Sequence, residues 1–275
     1  MHLSVIIPAY NEEKRLPRTL EEIDRYLRKQ TVAEASPQLP ERSAGREMNE
    51  VQRTPPRSAS PRSVYDYEIL VVSDGSKDKT VEIVRGLTPV IKNLRLIDNK
   101  ENNGKGYVVR QGMLEAKGDF RLFTDADNST SIDQVEKMWP YFKEGYDIVI
   151  GSRDVKGAVL DPPQDLLRRF VGEAFKLFRK IIVGLWEAED TQCGFKCFTK
   201  KAAENIFPKC KINRFAFDPE FLIIGKSLGY KIKEIPVYWR NDPESKVKFK
   251  SMVKMSLDLL QIRWDLIISG KYGKK

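Results

Sequence analysis

The stretch Phe120-Arg121-Leu122-Phe123-Thr124-Asp125-Ala126-Asp127 decides how the rest of the chain is read. Residues 120–124 form a strand-like run that ends on two carboxylates two positions apart. At a strand end such a pair can face the same way and offer hard oxygen ligands to a divalent cation. Asp-x-Asp alone is common, and a turn or helix cap explains most occurrences, so its meaning depends on what flanks it.

On both sides the chain alternates between strand and helix patterns. Residues 3–7 are apolar and rich in β-branched side chains, and Leu16, Leu20, Ile23 and Leu27 follow at helical spacing. A second strand is predicted over 67–72, then a helix capped by Asp78 and carrying Val81, Val84 and Leu87, then a third strand over 94–97. A helix over about 105–116 leads into the strand 120–124. A helix around Val135, Met138 and Phe142 and a strand at 147–150 come next. This order predicts an α/β fold, a mostly parallel sheet with helices on both faces. In such sheets ligands bind beyond the carboxyl ends of the strands, so the polar turns at 8–13, 73–76, 99–106 and 125–127 should meet on one edge. No Walker lysine loop is present, and Gly104-Lys105-Gly106 does not continue into a dinucleotide fingerprint, which argues against a P-loop NTPase or an NAD binder.

After residue 151 the pattern changes to a long helix over about 164–185, a turn-rich segment through 198, a helix near 219–228 and a strand at 232–239. Residues 33–63 interrupt the alternation with five Pro, five Ser, five Arg and no aromatic residue. That composition predicts a disordered insertion, with a docking or phosphorylation segment at Ser58 and Ser60 as the alternative. Residues 246–275 hold eight Lys/Arg against Asp258 and Asp265, so +6 of the net +9 lies there. Met252, Met255, Leu259, Ile262 and Leu266 share one helical face, and Val253, Leu257, Leu260, Trp264 and Ile267 the adjoining one. A basic helix with so wide an apolar face suits the headgroup zone of an anionic membrane, and packing onto the domain is the competing reading. The expected division is a catalytic domain over 1–245 and a basic amphipathic helix over 246–275.

Composition narrows the chemistry. With 275 residues, 41% of them hydrophobic, a sizeable core is expected. The single histidine, His2, makes a Ser-His-Asp triad or a histidine metal site improbable, leaving carboxylates, hydroxyls and cations. Cys193, Cys197 and Cys210 read as buried thiols in a reducing compartment rather than a disulfide framework. The first apolar run stops at Pro8 and no stretch reaches about 18 apolar residues, so neither a signal peptide nor a spanning helix is expected. The charge forms no aromatic-interleaved stripe, and nucleic-acid binding is not expected.

The run Val5-Ile6-Ile7-Pro8-Ala9-Tyr10-Asn11-Glu12-Glu13, the turn Asp74-Gly75-Ser76 and Asp125-Ala126-Asp127 resemble the family 2 glycosyltransferases of the GT-A fold. Gly151-Ser152-Arg153, Asp190-Thr191-Gln192-Cys193-Gly194-Phe195-Lys196 and Phe215-Ala216-Phe217-Asp218 extend the resemblance, within that family, to the members that glucosylate dolichyl phosphate. The resemblance implies a nucleotide-sugar donor, UDP-glucose, a polyprenyl phosphate acceptor, and inversion at the anomeric carbon. It places Pro8, Ala9, Tyr10, Glu12 and Asp74 at the nucleoside, Lys105 at the diphosphate, Mg²⁺ or Mn²⁺ on Asp125 and Asp127, and Arg153 and Lys196 at phosphate groups. Asp218 or Glu220 could serve as a general base if the acceptor were a sugar hydroxyl. The alternatives are therefore a family 2 enzyme that extends a glycan or uses another sugar such as mannose from GDP-mannose, and, from another class and disfavoured by the missing stripe, a basic module that binds membranes or nucleic acid. The expected location is the cytoplasm, peripheral on the cytosolic face of a membrane.

Overall fold

Apolar residues alternate between the two faces of a parallel sheet, and this alternation builds two cores. Val5 and Ile7 point one way and Ile6 the other; Ile69 and Val71 are opposed by Leu70 and Val72, and Leu122 by Phe123. A computed structural model describes residues 1–32, 66–162, 166–240 and 249–267. Strands β1 (His2–Ala9), β2 (Asp66–Asp74), β3 (Leu94–Asn99) and β4 (Phe120–Thr124) run parallel. With β5 (Ile148–Ser152), β7 (Phe195–Thr199) and β8 (Ile232–Pro236) they form a seven-stranded sheet in the order β3-β2-β1-β4-β7-β5-β8. The short strands β6 (Val159–Asp161) and β9 (Tyr238–Arg240) pair separately.

Helices α1 (Leu16–Val32) and α2 (Thr80–Leu87) cover one face. The other face is covered by α3 (Lys105–Glu115), α5 (Leu166–Val183), α6 (Lys200–Ile206), α7 (Phe217–Ser227) and α8 (Phe249–Ile267). The helix expected around Val135 is instead a 3-10 turn, Ile132–Lys137, followed by the five-residue α4 (Trp139–Lys143). Pro140 explains the break, because proline fits the first turn of a helix but not its interior. Asp78 lies one residue before the N-cap, which is Lys79, and still accepts the Thr80 amide at 3.0 Å.

The largest departure from the sequence reading is β7, which falls in the segment read as turns. It inserts antiparallel between β4 and β5. Its first residue, Phe195, therefore pairs with the last residue of β4, Thr124, and the 190–196 segment is delivered to the edge where the parallel strands end. The strand expected over 232–239 is divided, β8 ending at Pro236, which has no N–H to continue a ladder.

Helix α8 packs through Met255, Leu259 and Ile262 against the core, whereas Leu257, Leu260 and Trp264 are exposed. Met252, Val253, Leu266 and Ile267 lie outside the described side chains, and residues 33–63, with Ser58 and Ser60, outside the described residues. All three cysteines are free and buried, and burial pushes the Cys193 thiol up to about 12. Among the described residues no helix is long and apolar enough to cross a membrane.

Candidate active site

The turns after β1 and β2 are stitched together by their own polar groups. Asn11, with a left-handed φ of 55°, accepts the Lys77 amide at 2.8 Å, and the Glu12 amide donates to Thr80 Oγ1 at 2.8 Å. Glu12 is held by Arg15 in a two-pronged ion pair at 2.6 and 2.7 Å. Pro8 and Ala9 are buried at the end of β1, and Tyr10 is 40% exposed. Asp74 is buried, and its carboxylate accepts the Asn103 amide at 2.7 Å and the Gly104 amide at 3.0 Å. Burial raises its pKa, against the pull of those amides. Asp74 therefore fixes the loop that leads into α3, and through it the first residue of that helix, Lys105.

Across from Lys105 lie the two carboxylates of the 125–127 turn. Lys105 Nζ is 2.6 Å from Asp125 Oδ1, with the two side chains 30% and 20% exposed. Asp127 accepts the Ser129 amide at 3.0 Å, while burial, then the neighbouring Asp125 charge, push its carboxyl above the usual range. Thr19 of α1 donates to the Ala126 carbonyl at 2.8 Å and so anchors the turn. A glycine at 194 is required here: a Cβ on it would stand 1.9 Å from Asp125 Oδ2, and its carbonyl accepts the Asp125 amide at 3.1 Å. No group of three His, Cys, Asp or Glu able to hold a metal exists among the described residues. A cation on Asp125 and Asp127 would take its other ligands from substrate and water, as hard divalent ions commonly do.

The part of the chain after residue 151 holds its cations tightly. Arg153 donates to both oxygens of Asp190 at 2.6 and 2.9 Å and lies 4.9 Å from the Trp239 ring centre. Burial disfavours the Asp190 carboxylate, but Arg153 outweighs it and holds the group well below the ordinary range. Glu234 on β8 in turn accepts the Glu189 and Asp190 amides at 2.8 and 2.7 Å. Lys196, with no exposure at all, gives its ammonium to Asp218 at 2.6 Å and to the Cys193 carbonyl. Lys196, expected at a phosphate group, is in this structure paired with Asp218 beside the Phe123 and Phe221 rings. Glu220 spends both oxygens on the Lys211 and Ile212 amides, at 2.8 and 2.9 Å. Glu234 carried no readable signal, since the amides it accepts lie 44 and 45 residues away; Gly194 was visible only as part of a motif, because its neighbour Asp125 meets it only through β7.

The sequence profile described as Glycosyl transferase family 2 matches residues 56–207, more than half of the chain. A dolichyl-phosphate beta-glucosyltransferase of Trichomonas vaginalis is 35% identical over 267 residues, covering 95% of this chain and 71% of that protein. The chain belongs to glycosyltransferase family 2. It is a glycosyltransferase, and the human dolichyl-phosphate beta-glucosyltransferase is 33% identical to it over 95% of this chain and 74% of its own length. Among solved structures this family 2 enzyme is similar to glucosyl-3-phosphoglycerate synthase from Mycobacterium tuberculosis in complex with UDP. That likeness has a TM-score of 0.60 at 14% identity, over 99% of this chain and 80% of that one. Mannosyl-3-phosphoglycerate synthase from Rubrobacter xylanophilus gives 0.60 at 14% identity, over 100% and 77%. The sheet order and these likenesses define the GT-A fold.

Proposed function

We propose that this enzyme transfers glucose from UDP-glucose to dolichyl phosphate with inversion. The observation that carries the reading is the match to dolichyl-phosphate beta-glucosyltransferases along nearly the whole chain, with Asp125, Asp127 and Lys105 gathered at its predicted centre. The donor's nucleotide is inferred from the resemblance and from relatives of the fold that bind UDP.

Asp125 and Asp127 fit a divalent cation, Mg²⁺ or Mn²⁺, because two hard ligands sit where charge is under-neutralised. When bound, the cation neutralises charge developing on the leaving nucleoside diphosphate. Lys105 supplies a second positive charge beside it, and Asp74 keeps that lysine's loop in place. The acceptor phosphate is already an anion, so one bond forms from its oxygen to the anomeric carbon while the bond to the diphosphate breaks. No group need remove a proton. This agrees with Asp218 being bound to Lys196 and Glu220 to backbone amides, neither free to act as a base.

The enzyme works, on this reading, at the cytosolic face of a membrane. Leu257, Leu260 and Trp264 form an exposed stripe on α8, and Leu177, Ile181 and Trp186 add exposed apolar area at and just after α5. The basic residues 271, 274 and 275 follow in sequence and suit anionic headgroups.

Incubation with a panel of radiolabelled nucleotide sugars and a short polyprenyl phosphate tests the reading. Label from UDP-glucose should enter the organic phase and stop on chelation. Label from GDP-mannose alone, or label only on a water-soluble glycan, would overturn it.

A further inference from the structure

We propose that Lys105 is a placeholder cation: without nucleotide it occupies the carboxylate a metal needs, so tight metal binding waits for the donor diphosphate to draw it away. The inference rests on the reading of Asp125 and Asp127 as a metal site. Lys105 Nζ sits on Asp125 Oδ1 at 2.6 Å. A divalent ion coordinating that oxygen must either displace the ammonium or share the carboxylate with a like charge. Across Asp125, Asp127, Asp218, Lys105 and Lys196 the formal charge is −1. A divalent ion alone would leave +1 concentrated in a half-buried site, whereas an ion with a diphosphate brings its own counter-charge.

Only Lys105 can yield. Lys196 is wholly buried between Asp218 and the Phe123 and Phe221 rings. The backbone around Lys105 is also fixed. A Cβ on Gly104 would come within 2.4 Å of the Asn213 carbonyl, and one on Gly106 within 2.4 Å of the Ile212 carbonyl, so the start of α3 is wedged against the 212–214 loop. The adjustment therefore falls on the partly exposed Lys105 side chain. An anion arriving at the first turn of α3 would meet that side chain and a helix N-terminus together.

Electron paramagnetic resonance of Mn²⁺ added to the full chain, with and without UDP, reads the linkage directly and needs no turnover. In the wild type, Mn²⁺ alone should bind weakly and UDP should tighten it by about ten- to a hundredfold. Lys105→Met and Lys105→Gln should each bind Mn²⁺ alone about tenfold more tightly than wild type, and the UDP effect should shrink by about the same factor, leaving the part that comes from direct ligation of the ion by the diphosphate. Lys105→Arg should behave as wild type. If both neutral variants bind Mn²⁺ alone no more tightly than wild type, the placeholder role is wrong. Asp125→Asn separates the two readings: it should abolish Mn²⁺ binding, and retention of wild-type binding would remove the metal site itself and the proposal with it.

Discussion

Lys196 carries a charge into the middle of the sheet, and its neighbour Gly194 gives up a side chain so that Asp125 can sit where it does. These roles have different consequences. Breaking a buried ion pair leaves an uncompensated charge, so Lys196→Met should cost about 3–5 kcal/mol of stability, and the double change with Asp218→Leu should recover much of it. Urea unfolding of wild type and these two variants measures this; a Lys196→Met variant as stable as wild type would show that the pair contributes no structure. Gly194→Ala should leave secondary structure intact but weaken Mn²⁺ by at least about tenfold, the usual effect of disturbing a ligand's support. The Asp190 carboxylate, depressed by Arg153, stabilises the fold above the unfolded pKa of about 3.9 and loses that contribution as pH falls through its lower folded value. The stability gap between wild type and Asp190→Asn should therefore be constant from about pH 8 to 5 and narrow below about pH 4. At this scale the sequence was legible where partners are local. Asp125 and Asp127 lie two residues apart at a strand end, whereas Lys196 and Asp218 are 22 apart and meet only because β7 runs backwards.

At the scale of the element, the central strands β1 and β2 were readable because burial on both faces forces continuous apolar runs. Strand β7 was not, because Phe-Lys-Cys-Phe-Thr follows a turn-rich motif and includes a lysine that looks like surface. Helix α8 was read as amphipathic, but sequence could not divide its wide apolar face. The division predicts opposite outcomes for two sets of changes. Leu259→Ala, in the core, should cost about 2–5 kcal/mol. Replacing Leu257, Leu260 and Trp264 by serine should leave the thermal midpoint nearly unchanged yet reduce flotation with anionic liposomes. Equal flotation of that triple variant and wild type would remove α8 from the membrane contact.

For the whole molecule, sequence alone leads to a mostly parallel sheet with helices on both faces and a site on the edge where the strands end. The connection between α1 and β2 is an independent test of that layout. Tyr67 at the start of β2 donates to Asp24 of α1 at 2.7 Å, so the elements that residues 33–65 join already lie side by side. Replacing 33–63 with a short Gly-Ser linker should preserve the thermal midpoint and activity, since connections of a few residues suffice in such folds; loss of either would make the segment part of the machinery. The central claim concerns the product. Nuclear magnetic resonance of material formed from UDP-glucose and a short dolichyl phosphate should show glucose joined through its anomeric carbon to the phosphate in the β configuration, formed with Mg²⁺ or Mn²⁺ and absent with Asp127→Ala. An α linkage, a sugar joined to a hydroxyl, or undiminished product from the Asp127 variant would contradict it.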